Sequence, residues 1–168
     1  MWHRVVWLLA GALLPAVVGC GISPTADPSL VDLQAPEQLT LFSIDGRDAE
    51  GNGIGRRGEG VSEAVGEFRG YPVLGQVEVT DPDLRNQLIA ALKDGYARRP
   101  ARSAKCFWPR HGVRAVEKGK TVEYVICFQC LGFEEFVGDK RRFERINPDV
   151  QPTFDKPLKD AGIPFAPK

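Results

Sequence analysis

The stretch CFWPRHGVRAVEKGKTVEYVICFQC, Cys106–Cys130, contains two strand-like segments around a short polar loop. Cys106–Val116 and Thr121–Cys130 are rich in the β-branched and aromatic residues that strands favour. Glu117-Lys118-Gly119-Lys120 lies between them and predicts a four-residue hairpin loop. The stretch therefore predicts an antiparallel hairpin.

Residue matching across this hairpin predicts its register. If Arg114 lies opposite Glu123, then Val113 lies opposite Tyr124. An opposite-charge pair and an apolar pair then form together, and both kinds of pair stabilise neighbouring strands. We expect this pairing to be the one adopted.

A helix is predicted before the hairpin. In Thr80-Asp81-Pro82-Asp83, Thr80 or Asp81 can cap the helix, and Pro82 suits its first position. Gly95 is predicted to end it. The apolar residues that follow the cap at helical spacing are Leu84, Leu88, Ile89, Leu92 and Tyr96.

The remaining elements complete the predicted fold. Leu39–Ile44 and Tyr71–Val79 have strand composition, and Phe133–Val137 is predicted to be a third strand after the helix or a short helical piece. A C-terminal helix is predicted to begin at Thr153 or Asp155, run through Leu158 and Ala161, and stop at Gly162 and Pro164. The fold class is therefore α+β, a mostly antiparallel sheet with one main helix and a short C-terminal helix.

The glycine-rich stretch 46–60 contains a formal G-x-G-x-x-G match at Gly53–Gly58. A nucleotide-binding fingerprint needs a strand that ends at the first glycine and a helix that starts within the motif. The predicted strand ends well before Gly53, and Gly60 opposes helix initiation. We interpret this stretch as a loop.

The N-terminus carries a leader. Arg4 precedes an uncharged run from Val5 to Gly19, which is shorter than a typical membrane-spanning helix. The run ends in Val17-Val18-Gly19-Cys20, which resembles the lipobox of bacterial lipoproteins. The resemblance implies cleavage after Gly19, diacylglyceryl attachment to Cys20 and acylation of its amino group by a palmitate-type chain. It also implies a place in the cell envelope, with the domain outside the cytoplasm.

Length and charge limit the organisation of the chain beyond the leader. The chain has 168 residues, 22 basic and 22 acidic, and a 43% apolar fraction. We divide it into a signal peptide (1–19), a lipidated cysteine with a flexible tether (20–37) and one α+β domain (38–168). The neutral balance argues against nucleic acid as a partner. The expected partners are the membrane, through the lipid, and an envelope protein.

Three cysteines and one histidine cluster in the hairpin: Cys106, His111, Cys127 and Cys130. Three thiolates and an imidazole suit tetrahedral Zn²⁺, so these four are the candidate metal ligands, with zinc the alternative to having no cofactor. The hairpin register sets His111 on the face of Cys130 and Cys127 on the other face. Convergence of the four would therefore require a turn at Phe128-Gln129.

Other chemistries fit the same residues. An exported domain favours a disulfide, either from Cys106 to one of the other two or between Cys127 and Cys130, and any such pairing leaves one thiol over. The Cys127-x-x-Cys130 spacing also suits thiol-redox chemistry. A Cys106 nucleophile with His111 as base lacks a recognisable third group.

These observations favour a lipid-anchored envelope protein with a non-catalytic structural or binding role and no catalytic residues. In this interpretation the cysteine and histidine region stabilises the hairpin. The alternative is a metal-binding or thiol-redox protein that uses the cluster.

Overall fold

The computed structural model describes residues 33–46 and 64–166. Within them, strands and two helices form an α+β fold, and this predicted class is confirmed. The elements in chain order are β1 (Gln38–Ile44), β2 (Gly66–Phe68), β3 (Tyr71–Glu78), α1 (Pro82–Ala97), β4 (His111–Glu117), β5 (Lys120–Cys127), β6 (Gly132–Val137), β7 (Lys140–Arg145) and α2 (Gln151–Asp160).

The described strands form one seven-stranded sheet in the order β2-β3-β1-β4-β5-β6-β7. Every neighbouring pair is antiparallel, as predicted for most of the sheet. Because β3 and β4 both run antiparallel to β1, they are parallel to each other. A parallel relation requires a crossover, and α1 supplies it.

The β4–β5 hairpin has the predicted register. Arg114 pairs with Glu123, and Val113 pairs with Tyr124. Arg114 Nε donates to Glu123 Oε1 at 2.6 Å, so the pair is also a direct ionic contact. The matching of charge and apolar residues therefore identified the correct pairing.

The predicted limits of the hairpin were wrong at its loop, at its start and at its end, because β5 stops at Cys127 rather than at Cys130. Glu117 pairs with Lys120, so the loop is Lys118-Gly119 rather than four residues. Its φ values of 52° and 72° match the two-residue type I′ turn, which requires positive φ at both positions. β4 begins at His111 rather than at Cys106. Pro109 has no N–H for ladder pairing, which accounts for the late start.

The N-terminal cap of α1 is as predicted. Asp81 is the cap residue, and its carboxylate accepts a hydrogen bond from the Asp83 N–H at 2.9 Å. Pro82 occupies the first helical position, where a missing N–H costs nothing.

Gly95 does not end α1, which continues to Ala97. It is buried, and a Cβ added there would lie 2.9 Å from side-chain atoms of both Ile146 and Val150. The glycine therefore allows the segment after β7 to approach the helix closely. Its role is packing rather than capping.

The start of the C-terminal helix was also predicted wrongly. A 3₁₀ turn (Pro148–Val150) precedes α2, and the Asn147 side chain caps it by accepting from the Asp149 N–H at 2.9 Å. Thr153 and Asp155 therefore lie inside α2 rather than at its cap. Gly162, with φ of 68°, follows the helix close to the predicted stop.

The sequence did not predict β2 or β7, and it left the Phe133–Val137 segment open between strand and helix. β2 has three residues, and β7 has the sequence KRRFER without apolar alternation. The Phe133–Val137 segment is a strand, within β6. β1 and β3 lie within one residue of the predicted segments at each end.

The main core lies between one face of the sheet and the two helices. Its largest side chains are almost completely inaccessible to solvent. They are contributed by the sheet and by both helices: Leu39, Leu41, Tyr124, Ile126 and Phe133 from strands, Leu88 and Leu92 from α1, and Phe154 and Leu158 from α2. A smaller cluster on the opposite face contains Phe42, Ile44, Phe68, Val73 and Val125.

Buried carboxylates beside the smaller cluster form ion pairs with arginines. Glu123 bonds to both Arg69 and Arg114, and Glu134 bonds to Arg141. A buried carboxylate needs such a partner because an unpaired buried charge is strongly unfavourable.

The described chain begins at Leu33, which is buried against the main core. The backbone N–H groups of Gln34 and Ala35 donate to the Glu117 carboxylate at 2.8 and 3.3 Å. The preceding part of the predicted tether, the leader and the G-x-G-x-x-G match at 53–58 lie outside the described residues. The helices of the described ranges are too short or too polar to cross a membrane.

Candidate functional site

Cys127 and Cys130 form a disulfide at the end of β5, with sulfurs 2.03 Å and Cα atoms 5.1 Å apart. The chain turns through residues 128–131 immediately after the strand, at the position where convergence of the four predicted metal ligands would have required a turn. Both cysteines are only 2% exposed. Of the pairings that the sequence left open, the structure therefore has the Cys127–Cys130 bridge.

His111 begins β4 and is buried, with 2% of its surface exposed. Its Nε2 lies 2.8 Å from Oδ1 of Asp155, inside α2. The imidazole also packs edge-on against Phe128, with ring centroids 5.1 Å apart, and against Phe165 at 5.5 Å. His111 therefore connects the sheet to the C-terminal helix.

The Asp155 carboxylate is the electrostatic centre of this contact. Besides His111, it meets Lys159 Nζ at 3.1 Å and the Gln151 side-chain amide at 3.4 Å. Burial raises the pKa of Asp155, but the hydrogen bonds and positive charges of His111 and Lys159 outweigh burial and lower that pKa to about 2. Asp155 is therefore ionised throughout the physiological pH range.

Cys106 is exposed and is the free thiol of the described residues. The coil around Cys106 is hydrogen-bonded to Cys130 at two points. The Ala104 N–H donates to the Cys130 carbonyl oxygen at 3.0 Å, and the Trp108 N–H donates to Cys130 Sγ at 3.2 Å. The structure thus holds the coil that carries the third cysteine of the cluster against Cys130.

A small cleft lies between the disulfide and the histidine. It is lined by Trp108, Arg110, His111, Cys127, Gln129 and Gln151, among others. Its volume of about 10 Å³ is roughly what one water molecule requires. Burial lowers the pKa of Arg110, opposed by the charge of Asp45, but a guanidinium stays protonated in proteins, so one wall of the cleft is cationic.

A wider groove of about 320 Å³ lies apart from this cluster, beside β2. Its walls include Phe42, Val65, Val73 and Arg114. Among the described residues, its lining contains neither cysteine nor histidine.

The four predicted metal ligands do not form a tetrahedral set in this oxidised form. Cys127 and Cys130 are bonded to each other, and His111 Nε2 faces Asp155. Within residues 33–46 and 64–166, no three or more His, Cys, Asp or Glu side chains are arranged to hold a metal ion. A cysteine binds zinc as a thiolate, so the zinc site stays a prediction for the reduced protein. The lipidation residue, Cys20, lies outside the described residues.

Asp155 and Gln151 are the site residues that the sequence did not indicate. Asp155 lies 44 positions after His111, on a helix for which the sequence predicted no functional role. An aspartate at a predicted helix cap is explained by the cap alone, so the sequence did not predict a contact between Asp155 and a distant residue. Only the docking of α2 on the sheet brings the two together.

Comparison with known proteins adds no family. No protein-family model, curated protein or solved structure matches this chain. The functional proposal therefore rests on the leader and on the geometry described above.

Proposed function

We propose that this protein is a lipid-anchored protein of the cell envelope, attached to the membrane through Cys20. The Val17-Val18-Gly19-Cys20 ending of the apolar leader carries this proposal. The Cys127–Cys130 disulfide supports it, because disulfides persist mainly in oxidising compartments outside the cytoplasm. One acyl chain binds a membrane weakly and two or more bind it stably, so full acylation at Cys20 provides a firm anchor.

The domain is proposed to have a binding or structural role rather than a catalytic one. The enclosed space of the cleft beside His111 has room for about one water molecule. His111 itself is enclosed by Phe128, Phe165 and Asp155. These contacts fit a histidine that holds α2 against the sheet.

Exposed aromatic side chains support a protein partner. Trp108 and Phe143 are 40% and 48% exposed. Phe143 contacts Phe107 edge-on, with ring centroids 5.7 Å apart. Phe107 directly precedes Trp108 in the chain. Aromatic residues of this kind are enriched where proteins bind one another.

The anchoring proposal is tested by fractionating cells that express the wild-type chain, Cys20→Ala or Cys106→Ala. We expect wild type and Cys106→Ala to incorporate labelled palmitate and to sediment with membranes. Cys20→Ala should lose the label and leave the membrane fraction. Retention of the Cys20→Ala chain in that fraction would refute a lipid anchor at this position.

Metal binding or thiol-redox chemistry is the second candidate. The observation that favours it is the position of Cys106 beside the Cys127–Cys130 bridge. The full chain carrying Cys20→Ser is reduced, equilibrated with zinc and freed of unbound metal, and zinc is then measured by elemental analysis. One zinc per chain, lost in the variant Cys106→Ser, would support a metal site. Absence of zinc from the reduced chain would remove it.

A further inference from the structure

Cys106 is held within reach of the disulfide by contacts on both sides of it. Ala104 and Trp108, each two positions away, donate backbone hydrogen bonds to the carbonyl oxygen and to Sγ of Cys130. The chain between Cys106 Cα and the Trp108 nitrogen extends about 6 Å at most. Cys106 Cα therefore lies within about 10 Å of Cys130 Sγ. Cys130 Cα lies about 3 Å from its own Sγ, so the two Cα atoms are at most about 12 Å apart. A disulfide needs Cα atoms about 4.4–6.8 Å apart, so a shift of at most about 5 Å in this coil brings them within that range.

We propose that Cys106 undergoes intramolecular exchange with the Cys127–Cys130 disulfide. The Cys106 thiolate attacks Cys130 Sγ, a Cys106–Cys130 bond forms, and the Cys127–Cys130 bond breaks. The electron pair of the broken bond remains on Cys127 Sγ, which takes a proton from water. One thiol and one disulfide are present before and after the step, so no oxidant or reductant is consumed.

The surroundings of the sulfurs favour attack at Cys130. The Cys130 N–H donates to Cys127 Sγ at 3.1 Å, so a donor already faces the sulfur that would leave as a thiolate. Cys127 also lines the cleft that contains Arg110 and His111. Positive groups and N–H donors near a sulfur stabilise its thiolate, and a stabilised leaving group departs faster.

The exchange has a direct consequence for where the free thiol lies. Both bridged cysteines are 2% exposed, so thiols in solution have little access to them, whereas Cys106 is exposed. Attack by Cys106 moves the free thiol from the surface into the cleft beside His111. It also ties the coil at residues 104–108 covalently to the end of β5. The domain thus has two disulfide isomers with different reactive surfaces.

The first test uses the full chain carrying Cys20→Ser, so that only three cysteines remain. The folded protein is incubated at pH 8.5, quenched with acid and digested with pepsin. Free thiols are then labelled with N-ethylmaleimide at mildly acidic pH, and peptides are identified by mass spectrometry. We expect roughly 0.1–10% of the chains to carry the label on Cys127 and to contain a Cys106–Cys130 peptide. The fraction should not change with protein concentration.

Three results would overturn the proposal. Label confined to Cys106 after long incubation would show that the disulfide does not exchange. A Cys106–Cys127 peptide in place of Cys106–Cys130 would show that the wrong sulfur was assigned. Disulfide-linked dimers whose amount rises with concentration, without the internal peptide, would show that the exchange is intermolecular.

A matched pair of variants tests the geometry separately. In the same background, Cys127→Ser leaves Cys106 with Cys130, and Cys130→Ser leaves Cys106 with Cys127. On mild oxidation, we expect the first to form an internal disulfide at least about tenfold faster than the second, because the coil that carries Cys106 bonds to Cys130 and placement of two reacting groups accelerates their reaction. Equal rates would contradict the placement of Cys106. Neither test depends on acylation of Cys20, so their failure leaves the lipid anchor untouched.

Discussion

The contact between His111 and Asp155 predicts a defined loss of stability in acid. A carboxylate whose pKa falls on folding stabilises the folded state above its unfolded pKa. For Asp155 that contribution is complete above about pH 4 and is lost as the pH falls towards its folded pKa of about 2. Replacing the carboxylate by Asp155→Asn should remove the contribution at every pH.

The size of the effect follows from the pKa. A decrease from 3.8 to about 2 corresponds to at most about 2.4 kcal/mol. The Asp155 side chain is 16% exposed, and its partner Lys159 is 62% exposed, so solvent screens part of the interaction. We therefore expect Asp155→Asn to lower the free energy of unfolding by ~1 kcal/mol at pH 5.5.

Denaturant unfolding followed by circular dichroism at pH 5.5, 4, 3 and 2.5 measures this contribution. The difference between wild type and Asp155→Asn should be constant down to pH 4 and then shrink. The matched control is Asp160→Asn on the same helix, whose exposed pair with Lys156 should contribute little. A variant as stable as wild type at pH 5.5, or a difference that persists unchanged to pH 2.5, would refute the reasoning.

Three further predictions concern packing, charge and the hairpin turn. Gly95→Ala should lower the free energy of unfolding by about 1–3 kcal/mol, because its Cβ would overlap two side chains; thermal unfolding measures this. Glu123→Gln should lower the free energy of unfolding by ~2 kcal/mol, because it weakens the bonds to Arg69 and Arg114. Glu67→Gln, at an exposed site, should leave this free energy almost unchanged, and urea titration of both variants measures the difference. Lys118→Asn should raise stability by ~0.5 kcal/mol, since asparagine tolerates the φ of 52° at this turn, and an unchanged or lower melting temperature would contradict it.

The parts of the fold that the sequence predicted depend on local or adjacent signals. The hairpin register was recoverable because Arg114 and Glu123 match only when Val113 also meets Tyr124. The start of α1 was recoverable because Asp81 caps through its own neighbours. In both cases the interacting residues are close in sequence.

The parts that were missed depend on contacts distant in the chain. Gly95 resembled a helix end, but its small size serves the approach of Ile146 and Val150. Asp155 resembled a cap, but its partner is His111 on a strand. The pairing Cys127–Cys130 was one of several open choices, since Cys106, Cys127 and Cys130 were near one another in the predicted hairpin. Such contacts are determined by tertiary packing, which local propensity does not report.

β7 also affects how copies of this domain meet. It is the last strand at one end of the described sheet, and it carries Lys140, Arg141, Arg142 and Arg145. Pairing of two such edges would bring these cations close together, which is unfavourable. Lysine and arginine on an exposed edge are a common protection against aggregation. The cations of β7 therefore disfavour pairing of the β7 edges of two copies of this domain.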